Sequence, residues 1–250
     1  MKILWYIDEK DIEKILTFYQ KHCNNPFVQL RIKRNVERKN ISVTKPDFFY
    51  SMVACLITTQ QRSGPGSAVT RFLNTRPFLL SYEQCINQND VAKFVANTIT
   101  AFGGLRRANR ISSEISENLF KLESGLWGEL SQFLSELQKG STIKSERRAA
   151  EFIDISLKGF GPKQSRNLLQ SLGLTRYEIP IDSRITKWLN KFGFPVTLSA
   201  SALSDREYYN FISDGIQALC EKSGILPCVL DAVIFSSFDE GGWSEENVIW

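Results

Sequence analysis

From Asp8 onward the apolar positions Ile12, Ile15, Leu16 and Tyr19 recur at helical spacing, which predicts a first helix capped by Asp8. The period then changes. Val28, Leu30 and Ile32 alternate with Gln29, Arg31 and Lys33, and Ile41 and Val43 flank Ser42, a pattern that reads as a small basic β-hairpin. Pro46-Asp47 opens "FFYSMVACLITT", which has no polar face and predicts a buried helix. It ends at "QQRSGPGS", a polar loop bearing glycine and proline. From there to about residue 140 the pattern predicts short helices between polar turns, clearest over 91–102, 107–120 and 128–138.

Ser145 is placed to cap a helix running through Leu157, with Ala149, Phe152, Ile153 and Ser156 on one stripe. The turn "LKGFGPK" leads into a helix over 162–172, with Pro162 at its first position and Gly173 closing it. Asp182 precedes "SRITKWLNKFG", where Ile185, Trp188, Leu189 and Phe192 fall at i, i+3, i+4 and i+7, and a last apolar helix is predicted over 226–238. There are no repeats, no low-complexity tracts and no alternating β-α pattern. The expected fold class is mainly α with a small N-terminal β element.

Composition narrows the function classes. A chain of 250 residues can hold one large or two modest domains, and 42% hydrophobic with 23% charged residues is ordinary for a globular protein. No apolar run approaches the roughly 18–20 residues that a membrane span needs. The N-terminal "MKILWYIDEKD" turns acidic at once and carries no cleavage-site pattern, so an intracellular protein is expected. Cysteines 23, 55, 85, 220 and 228 form no CxxC pair or cluster, which argues against zinc or an iron–sulfur cluster. A single histidine, His22, argues against a histidine metal site or a catalytic triad.

Net charge is only +4, but its distribution is uneven. Arg31, Lys33, Arg34, Arg38 and Lys39 form one basic run, Arg106, Arg107 and Arg110 a second, and Lys144, Arg147 and Arg148 a third. Each alone suits a solvated face; together on a mildly basic chain they suit a surface that tracks phosphates.

The turn at 157–163 carries the sharper chemistry. Gly159 and Gly161 let the backbone turn tightly and expose N–H groups beside a helix N-terminus, where partial positive charge favours a phosphate. A plain helix–helix turn would need no more than the glycines. Lys163, however, puts an amine at the first helical turn, where acids are preferred, and partial burial in that field favours the neutral, nucleophilic form. Nineteen residues on, "EIPIDSR" sets Asp182 before a second helix, either as an ordinary N-cap or as a partner converging on the lysine.

At these residues the sequence resembles the helix–hairpin–helix–Gly/Pro–Asp (HhH-GPD) superfamily of DNA glycosylases, closest to the branch of endonuclease III and the 8-oxoguanine glycosylases. The resemblance rests on "LKGFGPKQSRNLL" with downstream "IPIDSR", on "CLITTQQRS", on "FGGLRRANRI" and on "LDAVIFSSF", and covers roughly residues 46–240. It implies two helical lobes with the cleft between them. One lobe spans 46–175 and ends in the hairpin; the other combines 1–45 with 176–250. It implies a bifunctional glycosylase and abasic-site lyase, in which Lys163 attacks C1′ and Asp182 stabilises the developing charge. The amides of Gly159, Phe160, Gly161 and Lys163 would grip a phosphate, with a monovalent cation bridging hairpin carbonyls and that phosphate.

The same resemblance gives Gln60 the role of filling the vacated stack, with Gln61 and Arg62 in the same loop. It places Asp231, Phe235 and Phe238, with Trp243, near the base pocket; ordinary core packing is the alternative for each. No cluster or zinc is expected, and the partner is duplex DNA bearing a damaged base, such as 8-oxoguanine, or an abasic site, bound by a monomer without a membrane. Pro162 sits where relatives often carry a polar or small residue. A different excised base, a non-catalytic DNA-binding clamp and a plain helical interaction domain are the rival readings.

Overall fold

The computed structural model describes residues 4–37 and 41–238. Helix α1 (Glu9–His22) begins at a capping box in which the Asp8 side chain accepts from the Asp11 amide at 2.9 Å. Helix α2 (Pro26–Arg31) runs into a π-helical turn, Ile32–Glu37. Then come α3 (Lys45–Thr58), α4 (Ala68–Leu73), α5 (Tyr82–Ile86), α6 (Val91–Phe102), α7 (Ala108–Lys121), α8 (Trp127–Lys139) and α9 (Ile143–Ser156). The C-terminal third holds α10 (Pro162–Ser171), α11 (Ser183–Phe192), α12 (Arg206–Ser223) and α13 (Pro227–Ser237).

Two apolar cores account for the architecture. The first is drawn from residues between 48 and 174 and centres on α3, whose Phe48, Phe49, Met52, Val53, Leu56 and Ile57 are all buried. At about 1.5–3 kcal/mol per buried large apolar side chain, that helix alone anchors the lobe. Thr44 caps it, accepting from the Asp47 amide, with Pro46 in the first turn. Thr142 likewise caps α9, and Ser145 occupies the reciprocal position of the same capping box. The expected cap at Ser145 therefore moves three residues upstream: the Thr142 hydroxyl accepts from the Ser145 amide, and the Ser145 hydroxyl accepts from the Thr142 amide in return.

The second core gathers Ile15, Phe27 and Val28 from the N-terminal segment with residues 179–234. Here the expected basic hairpin is corrected: residues 26–37 are helical, and no strand occurs among the described residues. Asn25 accepts from the Phe27 amide at 2.9 Å and Pro26 pre-sets the first turn, so the segment starts as a helix. Phe27, Val28, Arg31 and Asn35 are then buried at helical spacing, the first three in the second lobe and Asn35 donating to the Gln170 and Thr175 carbonyls. The β-like alternation places Arg31 among the outward-facing polar residues, whereas it points inward. Residues 38–40 lie outside the described residues, and Ile41 and Val43 pack on the first core instead.

The lobes are joined by a buried polar seam. The Glu146 carboxylate of α9 accepts from the backbone amides of Arg176, Tyr177 and Glu178, each at 2.8 Å. Glu178 in turn meets Arg166 of α10 and Arg147 of α9. Burial alone would push the Glu178 carboxyl up, but the Arg166 and Arg147 guanidiniums hold it below the usual carboxylate range. This seam fixes the path of the chain from the hairpin helix to Asp182.

Candidate active site

The hairpin turn sits on α7. Asn118, fully buried, donates to the Lys158 carbonyl at 2.9 Å and accepts from the Lys158 amide at 2.7 Å. Gly159 adopts φ +82°, and a Cβ there would lie 2.6 Å from Glu114 Cδ and 2.8 Å from Leu56 Cδ2, so only glycine fits. Gly161 is different: its backbone is extended and nothing lies within 4 Å of a Cβ placed on it. Its openness lets a ligand approach the start of α10, where the first N–H groups have no intrahelical acceptor. Phe160 turns its ring into the first core, which leaves its backbone to form the turn.

Lys163 stands in the first turn of α10, half-buried, with Nζ donating to Gln164 Oε1 at 3.2 Å. Gln164 is itself held by the end of α3, donating to the Cys55 carbonyl at 2.6 Å and to Thr59 Oγ1. Asp182 caps α11: Oδ1 accepts from the amides of Arg184 at 2.8 Å and Ile185 at 3.0 Å, and Oδ2 lies 3.9 Å from Arg184 Nη1. Capping therefore engages one carboxylate oxygen strongly and the other only loosely. Lys163, from the first lobe, and Asp182, from the second, line the same cleft of about 830 Å³.

The far wall of that cleft is aromatic and charged. The Phe27 and Phe235 rings stack at 4.9 Å and 17°, the Arg184 guanidinium lies 4.0 Å over Phe235, and Arg31 lies 5.6 Å from the Phe27 ring. Asp231 is at the base of this wall, its Oδ2 accepting from Arg31 Nη1 at 2.8 Å and Gln170 Nε2 at 2.7 Å. Burial raises its carboxyl above the ordinary range against the pull of Arg31, and the Asp182 charge nearby adds to the rise. Phe235 and Asp231 thus border the cleft; Phe238 is 44% exposed at the end of α13 and does not. Trp243 lies outside the described residues.

The two glutamines of the loop part company. Gln60 is exposed, at φ +56°, at the cleft rim. Gln61 is committed to the scaffold: Oε1 accepts from the Arg106 amide and Nε2 donates to the Ile57 carbonyl, both at 2.7 Å. Arg62 is exposed outside the cleft lining. The basic clusters also divide. Arg31 and Arg147 pair with the buried carboxylates of Asp231 and Glu178, Arg106 is exposed beside the Gln60 loop, Arg110 is exposed and pairs with Glu114, and Arg38 and Lys39 lie outside the described residues. Sequence reasoning missed Asn118, Gln164, Arg184 and Lys187. Only Arg184 and Lys187 carried a signal, as cations one turn apart behind Asp182.

Among the described residues no group of three or more His, Cys, Asp or Glu could hold a metal ion, and no helix is long and apolar enough to cross a membrane. No protein-family model matches the chain, and no curated protein matches it. Solved structures do. The 8-oxoguanine DNA glycosylase of Thermotoga maritima superposes with a TM-score of 0.65 at 15% identity, over 94% of this chain and 99% of that one. The 8-oxoguanine glycosylase/lyase of Methanocaldococcus jannaschii, in complex with 15mer DNA containing 8-oxoguanine, gives 0.67 at 14% identity over 92% and 100%. A second structure of the Methanocaldococcus jannaschii 8-oxoguanine DNA glycosylase gives 0.62 at 15% identity over 93% and 95%. The chain therefore has the two-lobed helix–hairpin–helix fold of these proteins.

Proposed function

We propose that the protein is a base-excision DNA glycosylase with abasic-site lyase activity, acting on an oxidised purine such as 8-oxoguanine. The observation that carries this reading is that Lys163 and Asp182, from opposite lobes, open onto one cleft beside a helix start suited to a phosphate. The glycosylase fold and the DNA-bound neighbour support it.

The order of events follows from chemistry. A base inside a duplex is out of reach, so the nucleotide is extruded at a cost of a few kcal/mol, with Gln60 filling the gap it leaves. The open start of α10 at Gly161 and Lys163 holds a phosphate beside the extruded sugar. A monovalent cation would be held by carbonyls of the hairpin and would supply positive charge beside that phosphate. The Lys163 amine then bonds to C1′ as the bond from C1′ to the base breaks, and the departing base takes up the proton the amine gives up. Asp182 offsets the positive charge that develops on the sugar. Opening of the sugar ring converts the adduct to an imine. The C2′ proton then passes to water, and its electron pair expels the 3′ phosphate, which nicks the strand.

A panel of duplexes, each with one lesion, tests the assignment by base release and strand nicking. The expected substrate is 8-oxoguanine, with nicking abolished in Lys163→Gln. Preference for an oxidised pyrimidine would keep the reaction and replace the base, and binding without release or nicking would reduce the protein to a clamp.

A further inference from the structure

Lys163 and Asp182 lie on separate elements, one at the head of α10 and one at the head of α11, and each is held by its own neighbours. Their relative position is consequently set by whatever ties those two helix starts together. Alongside the Glu146–Glu178 seam, two side chains with no exposure to solvent act directly on those two starts, Arg166 and Tyr209.

Arg166 spreads its guanidinium over three segments. Nη1 donates to the Pro162 carbonyl at 3.0 Å, the residue before Lys163. Nε donates to Glu178 Oε2 at 2.5 Å, on the segment that leads to Asp182, and Nη2 donates to Asn210 Oδ1 of α12 at 2.7 Å. Tyr209, the preceding residue on α12, holds the far end of the same segment. Its hydroxyl donates to the Ile179 carbonyl at 2.8 Å and accepts from the Ile181 amide at 2.6 Å, one residue short of Asp182. The two side chains are themselves in contact, with the Arg166 guanidinium 4.4 Å from the centroid of the Tyr209 ring. The start of α10 and the extended run 178–181 are thus fastened to adjacent residues of one helix.

Stability gives a weak reason for this arrangement. Replacing a buried ion pair by apolar residues of similar volume is often neutral or favourable, so a charged fork and a doubly bonded hydroxyl in a core point to geometric precision. Catalysis by a positioned amine and carboxylate is sensitive to displacements of about 1 Å, which cost up to about 100-fold in rate. We infer that Arg166 and Tyr209 are positioning residues that set the separation of Lys163 and Asp182, and that their loss slows the chemical step without weakening DNA binding. The inference rests on the assignment of Lys163 and Asp182 as the reacting pair.

The test is single-turnover nicking of an abasic duplex and an 8-oxoguanine duplex, read as a plateau rate and a half-saturating enzyme concentration. Tyr209→Phe keeps the ring beneath Arg166 and removes both hydroxyl bonds. It is expected to lower the plateau rate about 10- to 100-fold on both duplexes while the half-saturating concentration moves no more than about twofold. Arg166→Lys, which keeps the charge and loses the fork, should show the same split. Leu134→Ala, in the buried face of α8, controls for lost stability and should keep the wild-type plateau rate. A wild-type plateau rate in Tyr209→Phe would overturn the positioning role and leave the glycosylase assignment standing, as would a loss confined to half-saturation. Failure of the assignment looks different: wild type then nicks neither duplex, and the positioning role falls with it.

Discussion

Arg31 and Asp231, 200 residues apart in the chain, form a buried ion pair in which Nη1 lies 2.8 Å from Oδ2. The pair pins α2 against α13, and Gln170 of α10 joins it from the other lobe. Removing one partner strands the other charge in the core, at a cost of about 3–5 kcal/mol, whereas replacing both with apolar residues is far milder. Arg31→Met should therefore lower the urea midpoint more than Arg31→Met combined with Asp231→Leu. The double variant should also separate two activities. Lyase activity on an abasic duplex should persist, while base excision falls, because Asp231 borders the cleft and an abasic site brings no base to it.

Gly159 and Gly161 should respond in opposite ways to alanine. Gly159→Ala places a Cβ 2.6 Å from Glu114 Cδ at φ +82°, so strain and overpacking together should destabilise the fold by about 2–3 kcal/mol. Gly161→Ala meets nothing within 4 Å and should unfold at the wild-type midpoint. Its methyl group stands in the open approach to α10, so Gly161→Ala should weaken duplex binding and reduce the salt dependence of that binding. Thermal melts and binding titrations at several salt concentrations distinguish the two.

Gln60 and Gln61 divide into a working and a supporting residue. Gln60→Ala should slow excision from an intact duplex and spare nicking of a single-stranded abasic substrate, which needs no gap filled. Gln61→Ala loses bonds to Arg106 and Ile57 and should instead destabilise the fold by about 1–2 kcal/mol. The two substrates, compared at saturating enzyme, report the difference.

Glu146 should give the protein a pH-dependent seam. Burial pushes its carboxyl from the ordinary 4.5 up to about 7, against the three backbone amides of Arg176, Tyr177 and Glu178 that favour the ionised form. The folded chain then holds this proton more tightly than the unfolded chain between those values. The contribution is full below 4.5 and is lost as pH rises through about 7. Glu146→Gln should remove that part of the pH slope in urea unfolding, and should cost about 1–3 kcal/mol because an amide nitrogen then faces backbone N–H groups.

Much of this molecule was legible in its sequence. Helical periodicity located most helices, because α1, α3, α6 and α11 each combine a cap residue with a clear apolar pattern. The hairpin was legible because glycines and a lysine together exceed what a turn requires. What escaped the sequence was long-range polar pairing. Arg31 looks like a surface residue until α13 is folded against it, and reading it as one makes a helix look like a hairpin. Arg166 and Tyr209 gave no signal for the same reason: their partners come from 178–181 and α12, and no local spacing encodes them.

The most direct test of the central claim is borohydride trapping on the lesion panel beside an abasic control. The account predicts a covalent protein–DNA adduct, strongest on the 8-oxoguanine duplex among the base lesions, that disappears in Lys163→Gln. An absence of adduct on every duplex, with binding that ignores the lesion, would contradict it.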